Sequence, residues 1–332
     1  MIVSVGSFPQ SRLRRNRQEA WCRDLVAETH LSVNDLIWPV FIREEVMARD
    51  IEAMPDVFRY SLDEVVPICQ KAYELGIKAV ALFPCVSSDL KSEDGREALN
   101  PQNLMCRAVR LLKRAIPDLG LIGDVALDPY TSHGHDGLLK EGDVDNDATV
   151  AVLAEMAVTL AQAGIDIVAP SDMMDGRVGA IRQALDEAGS QKTRILAYSA
   201  KYASAFYGPF RSALGSSTCL GKANKKTYHM NPANGREALR EGAQDLLEGA
   251  DMLMVKPGLP YLDILYRLHE AFAVPLFVYQ VSGEYSMLKA AAARGWIEYE
   301  QALMESLMSF KRAGATGIIT YAALEVAERL RG

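Results

Sequence analysis

The chain has 332 residues, 49% of them hydrophobic, and its 36 Lys+Arg against 43 Asp+Glu leave a net charge of -7. An acidic surface of this kind argues against nucleic acid or an anionic membrane as partner. The apolar runs, about 6–8 residues long, fall well short of the ~20 that a bilayer-spanning helix needs.

The first segment, residues 1–30, holds Phe8, Leu13, Trp21, Leu25 and Val26 among Arg12, Arg14, Arg15 and Arg17. It is too small for a domain and reads as an arm, either frayed or clamped onto another subunit. Its apolar patch precedes its arginines, the reverse of a secretory signal. The five cysteines, Cys22, Cys69, Cys85, Cys106 and Cys219, are odd in number and form no CxxC pair. They predict reduced thiols in a cytoplasmic chain.

From residue 31 onward, short apolar runs alternate with helical periodicity. The runs span 37–42, 79–84, 120–127, 166–171, 194–200, 252–257, 276–282 and 317–323. Their Val/Ile/Leu content suits strands buried on both faces of a parallel sheet. Gly76, Gly164 and Gly249 each follow the last apolar position of a helical stretch, where a left-handed stop is expected. Eight such units predict an α/β fold, a (β/α)8 TIM barrel over 31–332 with an extended N-terminal arm. A doubly wound open sheet would want a glycine-rich turn after its first strand, and IWPVFIREEV has none.

A TIM barrel carries its active site at the C-terminal strand ends. Here those ends hold Pro84, Asp124, Asp128, Ser171, Asp172, Lys201, Lys256, Ser282 and Tyr321. A lone lysine is usually a solvated surface charge. Lys201 and Lys256, however, each end an unbroken apolar run on neighbouring predicted strands. Burial and a second ammonium group both favour the free amine, which attacks ketones to form a Schiff base. The stretch Gly215–Lys226, GSSTCLGKANKK, is polar and cationic and reads as part of an active-site lid over about 204–230.

The strings YSAKYASAFYGPFR, MVKPGLPYLDI, VYQVSGEY and DVALDPYTSHGHDG resemble the signatures of the porphobilinogen synthase (5-aminolevulinate dehydratase) family, and the resemblance runs over essentially the whole chain. It implies a lyase of tetrapyrrole (haem) biosynthesis that condenses two 5-aminolevulinate molecules. By resemblance, Lys256 holds the first substrate as a Schiff base and Lys201 meets the second. Ser282 and Tyr321 match the positions that bind the first carboxylate; Arg211 and Lys225 match lid cations that grip the second. Asp172 is matched to the first substrate's amino group, with Ser171 beside it at the mouth. His229 stands where the family usually has glutamine, which predicts pH-sensitive binding through its charge.

Zinc-dependent relatives carry three cysteines where this chain has Ala126, Asp128 and Asp136. That predicts no catalytic zinc, since thiolates favour zinc and carboxylates favour magnesium or water. Asp124 is expected at the reacting centre, with Asp128 and Asp136 accepting protons or orienting water. His133 and His135 are read as hydrogen-bonded loop residues. Glu241 matches a glutamate that holds an allosteric magnesium in relatives, and no organic cofactor is expected. The family also implies a homo-octamer built through the arm, with hexameric forms known. Another Schiff-base barrel, such as a class I aldolase, needs only one lysine and has no use for a cationic lid. A catalytically silent barrel has no use for the lysines and acids either.

Overall fold

The computed structural model describes residues 6–45, 47–214 and 224–331, without the side chains of Arg211, Ser212 and Leu214. Eight strands form its centre: β1 Leu36–Arg43, β2 Ala79–Cys85, β3 Gly120–Val125, β4 Ile167–Pro170, β5 Arg194–Lys201, β6 Met252–Lys256, β7 Leu276–Tyr279 and β8 Gly317–Ile319. Each pairs in parallel with the next in chain order. The pairs Leu36↔Ile318 and Ile37↔Ile319 join β8 to β1 and close the barrel. Strand faces that both meet apolar neighbours explain why β1 and β6 are buried along their whole length.

In chain order the helices are α1 Ala20–Leu25, α2 Leu62–Glu74, α3 Leu104–Ala115, α4 Asn146–Ala163, α5 Arg177–Glu187, α6 Gly208–Leu214, α7 Glu237–Leu247, α8 Leu262–Ala271, α9 Ser282–Ala293, α10 Tyr299–Arg312 and α11 Ala323–Arg331. Local chemistry sets their ends. Ser61 Oγ accepts from the Glu64 N–H while Glu64 accepts from the Ser61 N–H, a capping box that starts α2. Asp145 caps α4, and Gly164 at φ +104° ends it. Gly76 and Gly249 turn the chain at φ +92° and +103°, a conformation that a Cβ penalises.

Three strands stop two or more residues before the end of their apolar runs. β3 stops at Val125, β7 at Tyr279 and β8 at Ile319. The remaining residues of each run leave the ladder to build the barrel mouth, so Ser282 opens α9 instead of ending a strand. The described part of the arm, residues 6–30, packs little: neither the short turn Leu13–Arg17 nor α1 has a buried residue. Phe8, Leu13, Trp21 and Leu25 are all largely exposed.

Candidate active site

The register between β5 and β6 brings two lysines level. Leu196 pairs with Met252 and Ala197 with Leu253, but Ala200 pairs with Val255 and Lys201 with Lys256. An unbroken register from Leu196↔Met252 would set Lys201 opposite Pro257. The irregularity at Tyr198–Ser199 absorbs one residue, as a bulge does when it re-aims a side chain. Both Nζ atoms then flank the Tyr198 ring, that of Lys256 at 5.2 Å and that of Lys201 at 6.0 Å from its centroid.

Lys256 stands in an aromatic box. Besides Tyr198, its Nζ lies 4.5 Å from the Tyr279 ring, 5.0 Å from Phe210 and 5.5 Å from Tyr207. Tyr279 and Tyr321 share a hydrogen bond of 3.0 Å, and Phe41 stacks on Tyr321. Burial first, and the charge of Lys201 second, bring Lys256 down to about 7. The amine is therefore substantially free at neutral pH, as nucleophilic attack on a ketone requires.

The loop after Lys256 is tied to the loop after β7 by Glu284. This fully buried carboxylate accepts from the N–H groups of Gly258 (3.2 Å), Leu259 (2.6 Å) and Val281 (2.8 Å). Ser282 Oγ, expected to meet a carboxylate, accepts from the Phe210 N–H at 2.9 Å. Ser282 and Tyr321 thus lie together on the Lys256 side of the mouth.

Lys201 has a different setting. Its Nζ donates to the Ser171 carbonyl and lies 3.5 Å from Asp136 Oδ2. Asp136 also receives Lys225, which lies 3.2 Å from Asp128, and His229 Nε2 at 3.1 Å. Burial works against the charge of Asp136, but Lys201, Lys225 and His229 outweigh it and hold the carboxyl well below the usual range. Asp136 is thus held as an anion, a setting that suits orienting water, one of the two roles expected for it, better than accepting protons. Asp128 is raised by burial, with Lys225 opposing. Lys225, expected on an incoming carboxylate, is here engaged by these two acids.

Asp124 sits beside this cluster. Burial, then Asp128, push it up to about 7, and its Oδ1 is buried without a partner among the described residues. An orphaned buried carboxylate oxygen at a barrel mouth is costly unless something else meets it. The settings of two more residues bear on the sequence reading. His229 is pushed down to about 3 by burial and then by Lys201, so it is neutral near pH 7 and carries no charge to make binding pH-sensitive. Asp172 is fully buried: Oδ1 accepts from the Met174 N–H at 2.7 Å and Oδ2 faces Arg177 Nε at 3.6 Å. Burial raises it to about 6 against the pull of Arg177.

The loop histidines behave as read: His133 Nε2 lies 3.2 Å from the Glu93 carbonyl and His135 Nδ1 3.2 Å from the Tyr228 hydroxyl. The Arg211 side chain and lid residues 215–223, including Cys219, lie outside the described residues. A cavity of about 520 Å3 at the mouth is lined by Tyr207, Lys225 and His229, among others. A larger one, about 860 Å3, lies away from the lysines and is lined by Asp175, Asn234, Arg240, Glu241 and Arg267, among others. Glu241 is half-buried, and its carboxyl is raised by burial and then by Asp245. Among the described residues, no group of three or more His, Cys, Asp or Glu is arranged to hold a metal ion. No described helix is long and apolar enough to cross a membrane. Sequence reasoning missed Tyr198, Tyr207, Phe210 and Glu284.

Residues 10–329 match the family described as Delta-aminolevulinic acid dehydratase. The chain is 54% identical over 321 residues to the Delta-aminolevulinic acid dehydratase of Bradyrhizobium diazoefficiens, covering 96% of this chain and 91% of the relative. It is 49% identical to that of Rhodobacter capsulatus, covering 97% of each. The crystal structure of the Toxoplasma gondii enzyme in complex with its reaction product porphobilinogen superposes with a TM-score of 0.94 at 51% identity, covering 96% of this chain and 91% of that one. The chain belongs to the delta-aminolevulinic acid dehydratase family.

Proposed function

We propose that Lys256 and Lys201 each hold one molecule of 5-aminolevulinate as a Schiff base while the two are joined into porphobilinogen with loss of two waters. The chain is an enzyme, a lyase that carries out the porphobilinogen synthase reaction of tetrapyrrole biosynthesis. What carries the residue assignment is two buried lysines in matched register, one with an amine near neutrality, beside an acid poised at about 7.

The first ketone is attacked by the free amine of Lys256. Its oxygen takes protons and leaves as water, and the aromatic box keeps bulk water from reversing the step. Ser282 and Tyr321 hold that substrate's carboxylate through hydroxyls, which adds no further fixed charge beside the amines. The second ketone meets Lys201, whose charge Asp136 balances, with Arg211 and Lys225 gripping the second carboxylate. Asp124 carries protons between the two substrates because its carboxyl is near its midpoint at working pH. Ser171 and Asp172 complete the wall, Asp172 toward the first substrate's amino group.

The reaction uses no zinc at this cluster, because carboxylates and an alanine stand where thiolates would be needed. Magnesium is assigned to Glu241, whose half-buried carboxylate shares a large polar cavity with Asp175 and Glu237: the cavity has room for a cation that keeps most of its waters, while Arg236, Arg240 and Arg267 in the same wall offset the charge of the acids. Bound there, it supplies a stabilising charge outside the active centre. The exposed apolar arm supports a homo-octamer of hugging dimers, with a hexamer as the smaller form, acting in the cytoplasm. The test is borohydride reduction in the presence of 5-aminolevulinate, followed by peptide mapping and a porphobilinogen assay with and without EDTA. Label on Lys256 with product formation supports the reading. Absence of product with label on neither lysine refutes it.

A further inference from the structure

α6 and the turn before it roof the aromatic box, and two buried features fix that roof from opposite sides. Ala205–Tyr207 and α6 place Tyr207 and Phe210 over Lys256, and the Tyr207 hydroxyl donates to the Lys256 carbonyl at 3.2 Å. On one side the roof rests on Gly283, where an added Cβ would lie 2.4 Å from the Phe206 carbonyl oxygen and 2.8 Å from its Cα. Backbone meets backbone there, and only glycine permits it.

On the other side stands Arg59, a buried side chain on the two-residue strand Arg59–Tyr60 beside β1. Its Nε donates to the Ala213 carbonyl at 2.7 Å, in the last turn of α6. Its Nη1 donates to the carbonyls of Ala48 (3.0 Å) and Asp50 (2.8 Å), in the loop that follows β1. Its backbone is held in turn: its N–H donates to the Arg49 carbonyl, and its own carbonyl accepts from Arg43 Nε. A guanidinium at a helix C-terminus also meets the negative end of the helix dipole and carbonyls that have no partner within the helix.

We propose that Arg59 is a positioning residue that latches α6 shut over Lys256. The fork is what makes the latch: one planar group spans Ala213 and the β1 loop at once, which a lysine ammonium cannot do with the same geometry. Arg59 touches neither lysine; it acts through Phe210 and Tyr207. Removing it leaves the Ala213 carbonyl without that partner and frees the roof to open. The closed, binding-competent state is then a smaller fraction of the population, and the apparent affinity falls by that fraction. The cost appears in KM, while kcat, measured with the roof closed on substrate, changes little. This assignment rests on Lys256 as the Schiff-base lysine, but the motion itself can be read without substrate.

The test uses full-length Arg59→Met and Arg59→Lys. Amide hydrogen exchange over residues 206–214 should quicken about 10-fold or more in Arg59→Met, with exchange in β1 and β6 unchanged. KM for 5-aminolevulinate should rise by a similar factor with kcat within about 2-fold, and Arg59→Lys should fall between wild type and Arg59→Met in both readouts. Exchange at 206–214 that stays at the wild-type level overturns the latch, as does exchange that quickens equally throughout the barrel. Faster local exchange with unchanged KM also overturns it, because the roof would then not limit binding. If Arg59→Met does not fold, Arg59→Lys carries the same comparison. A wild-type protein that makes no porphobilinogen would defeat the catalytic reading and leave the exchange result standing.

Discussion

Lys256 and Lys201 end adjacent strands in matched register, yet one is boxed by rings and the other is held by ions. Four aromatic rings lie within 5.5 Å of the Lys256 amine. Lys201 has a carbonyl and a carboxylate instead, and its carboxylate is shared with Lys225 and His229. Apolar walls disfavour charge, and an acid partner favours it. The barrel therefore gives two lysines two different settings, which suits the ordered condensation proposed for them: one amine walled by aromatic rings, the other held by a carboxylate and a carbonyl.

The sharpest way to break this comparison is to remove each lysine in turn. Lys256→Met should lower turnover by about 10⁴-fold or more, since a lost covalent nucleophile removes a whole route. Borohydride with 5-aminolevulinate should then no longer mark peptide 252–257. Lys201→Met should also abolish product but leave Lys256 labelling intact. Labelling lost in both variants would mean that the amines act as one unit and not in two roles.

Next in size is the acid between them. Asp124→Asn keeps the shape and removes the titrating proton, so kcat should drop by about 10²–10⁴-fold, the span of general acid–base catalysis. Single-turnover trapping at Lys256 should survive. A variant with near wild-type kcat would take Asp124 out of proton transfer.

A smaller effect tests the box itself. With Lys256 and Asp124 both at about 7 and interacting, kcat/KM should rise with pH through about 7 as the pair loses its proton. Phe210→Ala admits water beside Lys256, weakens the burial that lowers its pKa, and so moves that limb to higher pH. At neutral pH the rate should fall several-fold and recover in alkaline buffer. An unshifted profile would mean that the rings do not set the amine's state.

Much of this was legible beforehand, and the failures have a common cause. A lysine at the end of an apolar run is conspicuous, so MLMVKP and RILAYSAK disclosed both amines, and the glycine stops disclosed the helix ends. Tyr198, Tyr207 and Phe210 looked like core or loop residues, because no one-dimensional pattern shows that a bulge in β5 and a turn at 205–207 bring them around one atom. Glu284 hid inside VSGEY, where Ser282 drew attention; its three N–H partners come from two separate loops. For His229, residue type promised a charge near neutral pH, but depth and a neighbouring ammonium decide charge, and neither is written in the local sequence.

That residue gives the smallest expected effect and tests the Lys201 side. At about 3, His229 is neutral over the working range, so the tautomer bearing a proton on Nε2 donates to Asp136 Oδ2 at 3.1 Å. A glutamine amide can make the same single donation to a carboxylate. Replacing one neutral donor by another changes only part of a hydrogen bond's net ~1 kcal/mol, and about 0.7 kcal/mol is a ~3-fold change in rate. His229→Gln should therefore keep kcat/KM within about 3-fold and add or remove no inflection between pH 5 and 9. His229→Leu deletes the donor, leaves Asp136 to Lys201 and Lys225 alone, and should cost more than the glutamine. A pH profile that loses an inflection in His229→Gln would mean that the imidazole titrates after all, and that the Lys201 cluster admits more water than its burial implies.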